Sequence, residues 1–165
     1  MIETVNIDLV LDFLKTIGID SDRRDIPEPS FLPGIKIEAG RLVVDVEKLK
    51  YPGDLLHEAG HIAVTPSAER LQMFEDVKND SLATSLEIVT ILWSFAALRH
   101  LNLPTAFVFH EGGYKGQSDW FIEQFESGNY IGLPLLQWMG MTVDEKKALE
   151  LNLPPFPYML KWLRD

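Results

Sequence analysis

The chain has 165 residues, a formal net charge of −10 from 15 basic and 25 acidic residues, and 46% hydrophobic residues. This length predicts a single domain, and the acidic balance argues against binding to a nucleic-acid backbone. Because the chain contains no cysteine, disulfide bonds and thiolate metal ligands are excluded. A chain without cysteine suits a reducing compartment, so we expect a cytoplasmic protein.

The N-terminal stretch predicts an amphipathic helix over residues 8–18, with Asp8 as its N-cap and Gly18 as its end. The same stretch does not resemble a signal peptide, because it lacks a basic start and acidic residues interrupt its apolar residues. Residues 20–34 contain three prolines and many charges. That composition predicts a loop.

Residues 35–46 predict a hairpin of two short strands, because apolar and charged residues alternate before Gly40 and an apolar run follows it. The next segment, YPGD, predicts a turn that delivers Asp54 as the N-cap of a helix. We expect that helix to cover about residues 55–64 and to end near Pro66.

A long helix is predicted from Asp80 or Ser81 to about Leu101. Its stretch from Leu82 to Leu98 is apolar enough to raise the question of a membrane span. Glu87 lies within it, however, and the stretch is short for a span. We therefore interpret it as a buried helix and expect no membrane association.

The C-terminal third predicts several short elements: a possible strand at 105–110, a glycine-rich loop at 111–117, a helix through 126 capped by Ser118, a helix at 133–139, and a capping box at 142–145. Together with the preceding elements, this order predicts a mainly helical α+β domain with a small sheet near the N-terminus.

The sequence from His57 to His61 fits the pattern H-E-x-x-H. Four residues on a helix turn through about 400°, so both imidazoles lie on one face and can share a tetrahedral zinc at roughly 2.0–2.1 Å. Glu58 lies to the side of that face, where it can take a proton from a zinc-bound water without being a ligand. The alternative is a pair of ordinary histidines, exposed at the surface or satisfied in the core.

The segment LLHEAGH, preceded by a hairpin, resembles the active-site helix of zincin metallopeptidases. The similarity is closest to the gluzincin group, and it covers about residues 35–98. It implies a zinc cofactor, a glutamate on a second long helix as third ligand, and an edge strand that lines a substrate cleft. Together with the chain length, it leads us to expect one metallopeptidase domain over residues 1–165. In that domain a helix and loop (1–34) precede the zinc-site core (35–98), and a helical part (99–165) follows it.

A catalytic zinc site needs a third protein ligand. Glu87 stands out, because it is the only charged residue between Asp80 and Arg99 and its flanks are apolar. A carboxylate buried there needs a partner, and a metal is one such partner. The gluzincin-like pattern also implies a glutamate at this place. Alternatively, Glu87 lies on a thin solvated face with Thr84, Thr90 and Ser94. The other candidates are Glu69, Glu75, Asp76, Asp80, His100, His110, Glu111 and Asp119.

His110 is the main rival to Glu87, because it ends a predicted strand and opens the glycine-rich loop. It is a candidate for the third ligand or for a hydrogen-bond donor to the oxyanion of the transition state. Tyr114, in the same loop, is a candidate for the donor role. Both side chains could also simply be exposed.

Three functions remain open from the sequence. The first is a zinc-dependent peptidase with Glu58 as general base, acting on a peptide or protein substrate that the strand around 41–46 aligns. The second is a non-catalytic zinc-binding protein of zincin fold that acts as a regulatory or interaction module. The third is a metal-free helical domain in which the motif is coincidental.

Overall fold

The computed structural model describes residues 2–74 and 81–165, with side chains described from residue 6 and from residue 86 in those two ranges. Helices and a small sheet confirm the predicted α+β class. The strands are β1 (Ser21–Arg23), β2 (Ile35–Glu38) and β3 (Arg41–Val44). The α-helices are α1 (Ile2–Ile17), α2 (Asp54–Val64), α3 (Ser81–His100), α4 (Ser118–Glu126), α5 (Leu133–Trp138) and α6 (Glu145–Leu151). Short 3₁₀ helices cover Arg70–Gln72, Thr105–Phe107 and Tyr114–Gly116.

The predicted hairpin is confirmed. Strands β2 and β3 pair antiparallel, and the turn between them is Ala39–Gly40. Both turn residues have a left-handed backbone, with φ of 49° and 72°. This geometry suits a two-residue hairpin, because it follows the twist of the flanking strands.

The prediction of a loop throughout residues 20–34 is wrong at its start, because β1 pairs parallel with β3. The strand order is β1-β3-β2, so β3 is the central strand and both its edges are used. The expectation that residues 41–46 align a substrate by strand addition is therefore also wrong. Strand β2 lies at the sheet edge instead, with bridges to Leu32 and Phe74 at its two ends.

Helix α1 begins at Ile2, six residues before the predicted start. Its apolar face extends back to Ile7, which is buried together with Val10 and Leu14. Asp8 lies inside the helix on the exposed side and forms an ion pair with Arg23. The prediction of Asp8 as N-cap is wrong, because the helical pattern continues through this residue.

Helices α2 and α3 pack against each other, and α2 also contacts β2 and β3. Every residue from Val89 to Leu98 is at most 5% exposed, so this part of α3 is buried as predicted, whereas Ile88 before it is 42% exposed. The close approach depends on Gly60, where an added Cβ would lie 2.9 Å from Thr90 Cγ2 and 3.2 Å from Trp93 Cε3. Over the part of the chain that the structure describes, no helix is long and apolar enough to cross a membrane.

Two arginines donate hydrogen bonds at the C-terminal end of α2, Arg70 from the segment that follows the helix and Arg164 from the C-terminal segment. The Arg70 side chain donates hydrogen bonds from Nε to the carbonyls of Ile62 and Thr65. The backbone N–H of Arg164 donates to the carbonyl of Ala63 at 2.8 Å. These donors satisfy carbonyls that a helix end leaves without internal partners.

Two helix starts in the C-terminal part differ from prediction. Gln117, not Ser118, is the N-cap of α4. The capping box at 142–145 is not formed, because Asp144 is the N-cap of α6 and accepts a hydrogen bond from the backbone N–H of Lys147. Thr142 donates its hydroxyl to the carbonyl of Tyr158 instead.

The predicted strand at 105–110 is wrong. The chain forms a 3₁₀ turn over Thr105–Phe107, in which the Phe107 N–H donates to the Pro104 carbonyl. Its apolar residues suit a buried turn as well as a strand: Val108 and Phe109 are buried in the core without a strand partner in the described sheet.

Candidate metal centre

Three side chains from α2 and α3 bring ligand atoms together. The Nε2 atoms of His57 and His61 lie 3.2 Å apart. Oxygen atoms of Glu87 lie 3.2 Å from His57 Nε2 and 3.1 Å from His61 Nε2. Within the described residues, the side chains of His57, His61 and Glu87 form a group of His, Cys, Asp or Glu whose ligand atoms lie close enough together to hold a metal ion.

The local sequence explains this arrangement. His57 and His61 are separated by one helical turn of α2, so they project from the same face. Glu87 lies one turn before Thr90, the residue at which Gly60 lets α3 approach α2 closely. The third donor therefore meets the first two because two helices pack with almost no space between them.

Glu87 and His57 shift each other's pKa. Burial alone would raise the pKa of Glu87, but its hydrogen bonds with His57 and His61 outweigh that effect and lower the pKa. Burial alone would lower the pKa of His57, but the Glu87 carboxylate outweighs it and raises the pKa.

The donor set fits a small divalent cation. Two ligands of a tetrahedral ion, each at about 2.0–2.1 Å, are separated by about 3.3–3.4 Å. The measured separations of 3.1–3.2 Å are close to this value. Two imidazole nitrogens and one carboxylate are also the donor types that catalytic zinc sites use, with a further position left for water. His57, His61 and Glu87 could therefore hold a metal ion, as predicted for Glu87.

Glu58 follows His57 directly on α2 and is partly buried. Burial raises the pKa of its carboxyl group, while the nearby His61 and His57 oppose the rise. A carboxylate with a raised pKa holds a proton more strongly than an exposed one, which suits a general base.

The two histidine rings also have partners on their other nitrogen. Tyr114 Oη lies 3.2 Å from Nδ1 of His57. Thr90 Oγ1 lies 3.4 Å from Nδ1 of His61. The Tyr114 hydroxyl thus contacts His57 on Nδ1, the ring nitrogen that does not face Glu87.

His110 lies outside the cluster. Its Nε2 is 2.7 Å from Oδ1 of Asp54, and its ring stacks on Tyr51 with centroids 3.8 Å apart. This contact also explains why the prediction of Asp54 as N-cap of α2 is wrong. Gly53 holds the N-cap position, Asp54 begins the helix, and the Asp54 carboxylate is directed to His110.

The alternative of a solvated face shared by Glu87, Thr90 and Ser94 is wrong for Thr90 and Ser94, whereas the Glu87 side chain itself is 39% exposed. Thr90 and Ser94 are fully buried, whereas the side chain of Thr84 lies outside the described residues. Of the remaining ligand candidates, four lie in described segments but outside this cluster: Glu69, His100, Glu111 and Asp119. Three others lie outside the described residues: Glu75, Asp76 and Asp80.

The sequence alone does not predict that Asp54, Thr90 and Ser94 lie at the site. The position of Asp54 could have been predicted from its spacing, because it precedes His57 by three residues and so lies on the same face of the helix. The sequence evidence for Thr90 and Ser94 is weaker. They follow Glu87 by three and seven residues on an otherwise apolar helix, which places them on the same face as Glu87.

Comparisons with known proteins add no family. No protein-family model matches the chain, and neither a curated protein nor a solved structure matches it. The resemblance to zincins therefore depends on the motif and on the cluster of His57, His61 and Glu87.

Proposed function

We propose that this protein is a zinc-dependent hydrolase of the metallopeptidase type, built as a single zincin-like domain. The observation that carries the proposal is the meeting of three donor atoms, from His57, His61 and Glu87, directly beside Glu58. A metal site with an adjacent carboxylate that is not a ligand is an arrangement that can support metal-assisted hydrolysis of an amide.

Zinc is the proposed cofactor, because the donors are two imidazoles and one carboxylate at tetrahedral separations. When bound, zinc supplies Lewis acidity that lowers the pKa of a water and polarises a carbonyl. His57 and His61 hold the ion from α2, and Glu87 holds it from α3. The negative charge of Glu87 offsets part of the charge of the cation.

Glu58 is the proposed general base. Its carboxylate accepts a proton from the attacking water and then transfers that proton to the leaving amine. The raised pKa of Glu58 supports both steps, because the carboxyl group then binds the proton well enough to carry it between them. A positioned acid–base group of this kind contributes roughly 10²–10⁴-fold to the rate.

A peptide or protein is the proposed substrate. Strand β2 replaces β3 as the element that would align it, because β2 lies at the edge of the sheet and contacts α2. An extended peptide can hydrogen bond to such an edge. The bridges at both ends of β2 leave only a short stretch for this pairing.

The test combines metal analysis with turnover. Protein purified without chelator should contain one zinc per chain and should cleave members of a peptide library, and a chelator should abolish cleavage. Glu58→Gln should retain zinc and lose at least about 10²-fold in kcat. Glu123→Gln, which removes an exposed carboxylate on α4, is the matched control and should keep full activity.

A Glu58→Gln variant with full activity would exclude the assigned mechanism. Stoichiometric zinc without any cleavage would favour the second candidate, a non-catalytic zinc-binding module. That candidate has structural support too, because the three donors join α2 to α3, as a structural metal would. Zinc well below one per chain would favour the metal-free domain.

A further inference from the structure

The glycine-rich loop after His110 covers the outer side of the metal cluster. Its Tyr114 places Oη 3.2 Å from Nδ1 of His57, and the two rings meet edge to face. The Tyr114 ring also packs on Phe109 and Phe121. The phenol is thus held in the core, with its hydroxyl directed at a metal-ligating histidine.

The backbone of this loop is strained at the residue that makes the contact. Tyr114 has φ of 54° and Lys115 has φ of 52°, both in the left-handed region that residues with a Cβ rarely adopt. Such a conformation is unfavourable and persists only where surrounding contacts hold it. Something outside the loop must therefore hold Tyr114 in place.

The contacts that hold the loop converge on His110. The Asp54 carboxylate binds its Nε2 at 2.7 Å, and Tyr51 stacks on its ring. Ser118, at the other end of the loop, donates its hydroxyl to the His110 carbonyl at 2.6 Å. Asp54 lies on α2 one turn before His57, so this anchor and the metal ligand belong to the same helix.

The direction of the hydrogen bond between Tyr114 and His57 follows from the tautomer of the histidine. A neutral imidazole carries one proton, on Nδ1 or on Nε2, and the other nitrogen has a free lone pair. The Nε2 atom of His57 lies in the cluster beside His61 and Glu87, so it must offer its lone pair when a metal ion binds there. The proton is then on Nδ1, and the Tyr114 hydroxyl oxygen, 3.2 Å away, is placed to accept its hydrogen bond.

We propose that Asp54 and His110 position Tyr114 as the hydrogen-bond acceptor for Nδ1–H of His57, which leaves the Nε2 lone pair of His57 for a metal ion. Tyr114 is then a positioning residue that sets the tautomer and orientation of a ligand. Partners of this kind typically change metal affinity 10- to 100-fold. The inference rests on the metal site of the proposed function, but not on peptidase activity.

The first test measures zinc affinity by competition with a chromophoric chelator, in Tyr114→Phe and in Tyr130→Phe. The first change removes the acceptor and keeps a ring to pack on Phe109 and Phe121. The second removes a phenol hydroxyl from a tyrosine whose ring packs on Phe95 and Phe156 rather than on His57. Tyr114→Phe should weaken zinc binding 10- to 100-fold and shift the visible absorption bands of the Co²⁺-loaded protein, whereas Tyr130→Phe should change neither.

The second test asks whether Asp54 acts through Tyr114. Asp54→Ala should weaken zinc binding in the same direction, and the double variant Asp54→Ala/Tyr114→Phe should bind no more weakly than Tyr114→Phe alone. Asp54→Asn keeps an oxygen that accepts from His110 and should restore most of the affinity. Thermal unfolding of each metal-free variant checks folding, and His110→Ala, which removes the other half of the contact with Asp54, replaces Asp54→Ala in the cycle if the latter does not fold.

Unchanged zinc affinity and an unchanged Co²⁺ spectrum in Tyr114→Phe would overturn the proposal. Additive losses in the double variant would overturn the role of Asp54. Wild-type protein that binds no zinc would overturn this inference together with the metal site. Zinc binding that shows the predicted pattern without any peptide cleavage would leave this inference standing and remove only the proposed hydrolase.

Discussion

Gly60 controls how closely α2 and α3 approach, so Gly60→Ala is the most direct perturbation of the candidate metal site from outside it. An alanine Cβ would lie 2.9 Å from Thr90 Cγ2 and 3.1 Å from the Thr90 carbonyl oxygen. Contacts that short force neighbouring atoms to move. Thr90 cannot easily turn its methyl away, because a β-branched residue in a helix has few χ1 rotamers and its hydroxyl contacts His61.

Two opposing effects determine the free energy of unfolding of Gly60→Ala. Alanine is better than glycine in a helix interior by about 0.5–1 kcal/mol, whereas overpacking a buried contact costs about 1–3 kcal/mol. We therefore expect a net loss of about 0–2.5 kcal/mol in the metal-free protein. Zinc affinity should fall as well, because any separation of α2 from α3 moves Glu87 away from the two histidines.

Urea unfolding of the metal-free protein and zinc competition together measure both effects. The matched control is Gly60→Ala/Thr90→Ser, which removes the methyl group that the new Cβ meets but keeps a hydroxyl for His61. This second change should recover part of both losses. If Gly60→Ala alone were about 1 kcal/mol more stable than the wild type and bound zinc equally well, the close approach of the helices would be refuted.

Two further predictions concern the free energy of unfolding and involve residues outside the candidate metal site. Arg70→Met should lower the free energy of unfolding by about 1.5–3 kcal/mol in urea titrations, because a charged donor to the end of α2 is lost. Arg41→Met, which removes an exposed cation, should have little effect. The hydrogen bond from the Ile26 N–H lowers the pKa of Asp45 from 3.8 to about 2. Asp45→Asn should therefore be less stable than wild type near pH 7. That difference should shrink as the pH falls from about 4 to about 2, because Asp45 stabilises the fold only while it is ionised.

The predicted parts that the structure confirms are those that depend on local periodicity. The hairpin follows from alternation around a turn, and the long helix α3 follows from its apolar run. The sequence also indicates Glu87 as a ligand candidate, because an acidic side chain inside an apolar run needs a partner. The start of α1 and the caps of α4 and α6 were wrong, because several polar residues near each end could serve as a cap.

The placement of the edge strand could not be predicted, since β1 is a short and mostly exposed strand without an alternating pattern of its own. It is a strand because β3 offers it hydrogen bonds. That pairing makes β3 central and moves the proposed substrate edge to β2. The role of His110 was equally undetermined, because a histidine at a loop entrance can face a metal, a carboxylate or solvent.

The sequence by itself determined that His57 and His61 share one helix face and that Glu58 lies beside them, because helical geometry relates residues a few positions apart. The tertiary structure decided the rest. It brought Glu87 within 3.2 Å of both histidines through the contact at Gly60, and it directed His110 to Asp54 and Tyr114 to His57. The physical reason is distance along the chain: Glu87 is 26 residues beyond His61, and only the packing of α2 against α3 sets their separation.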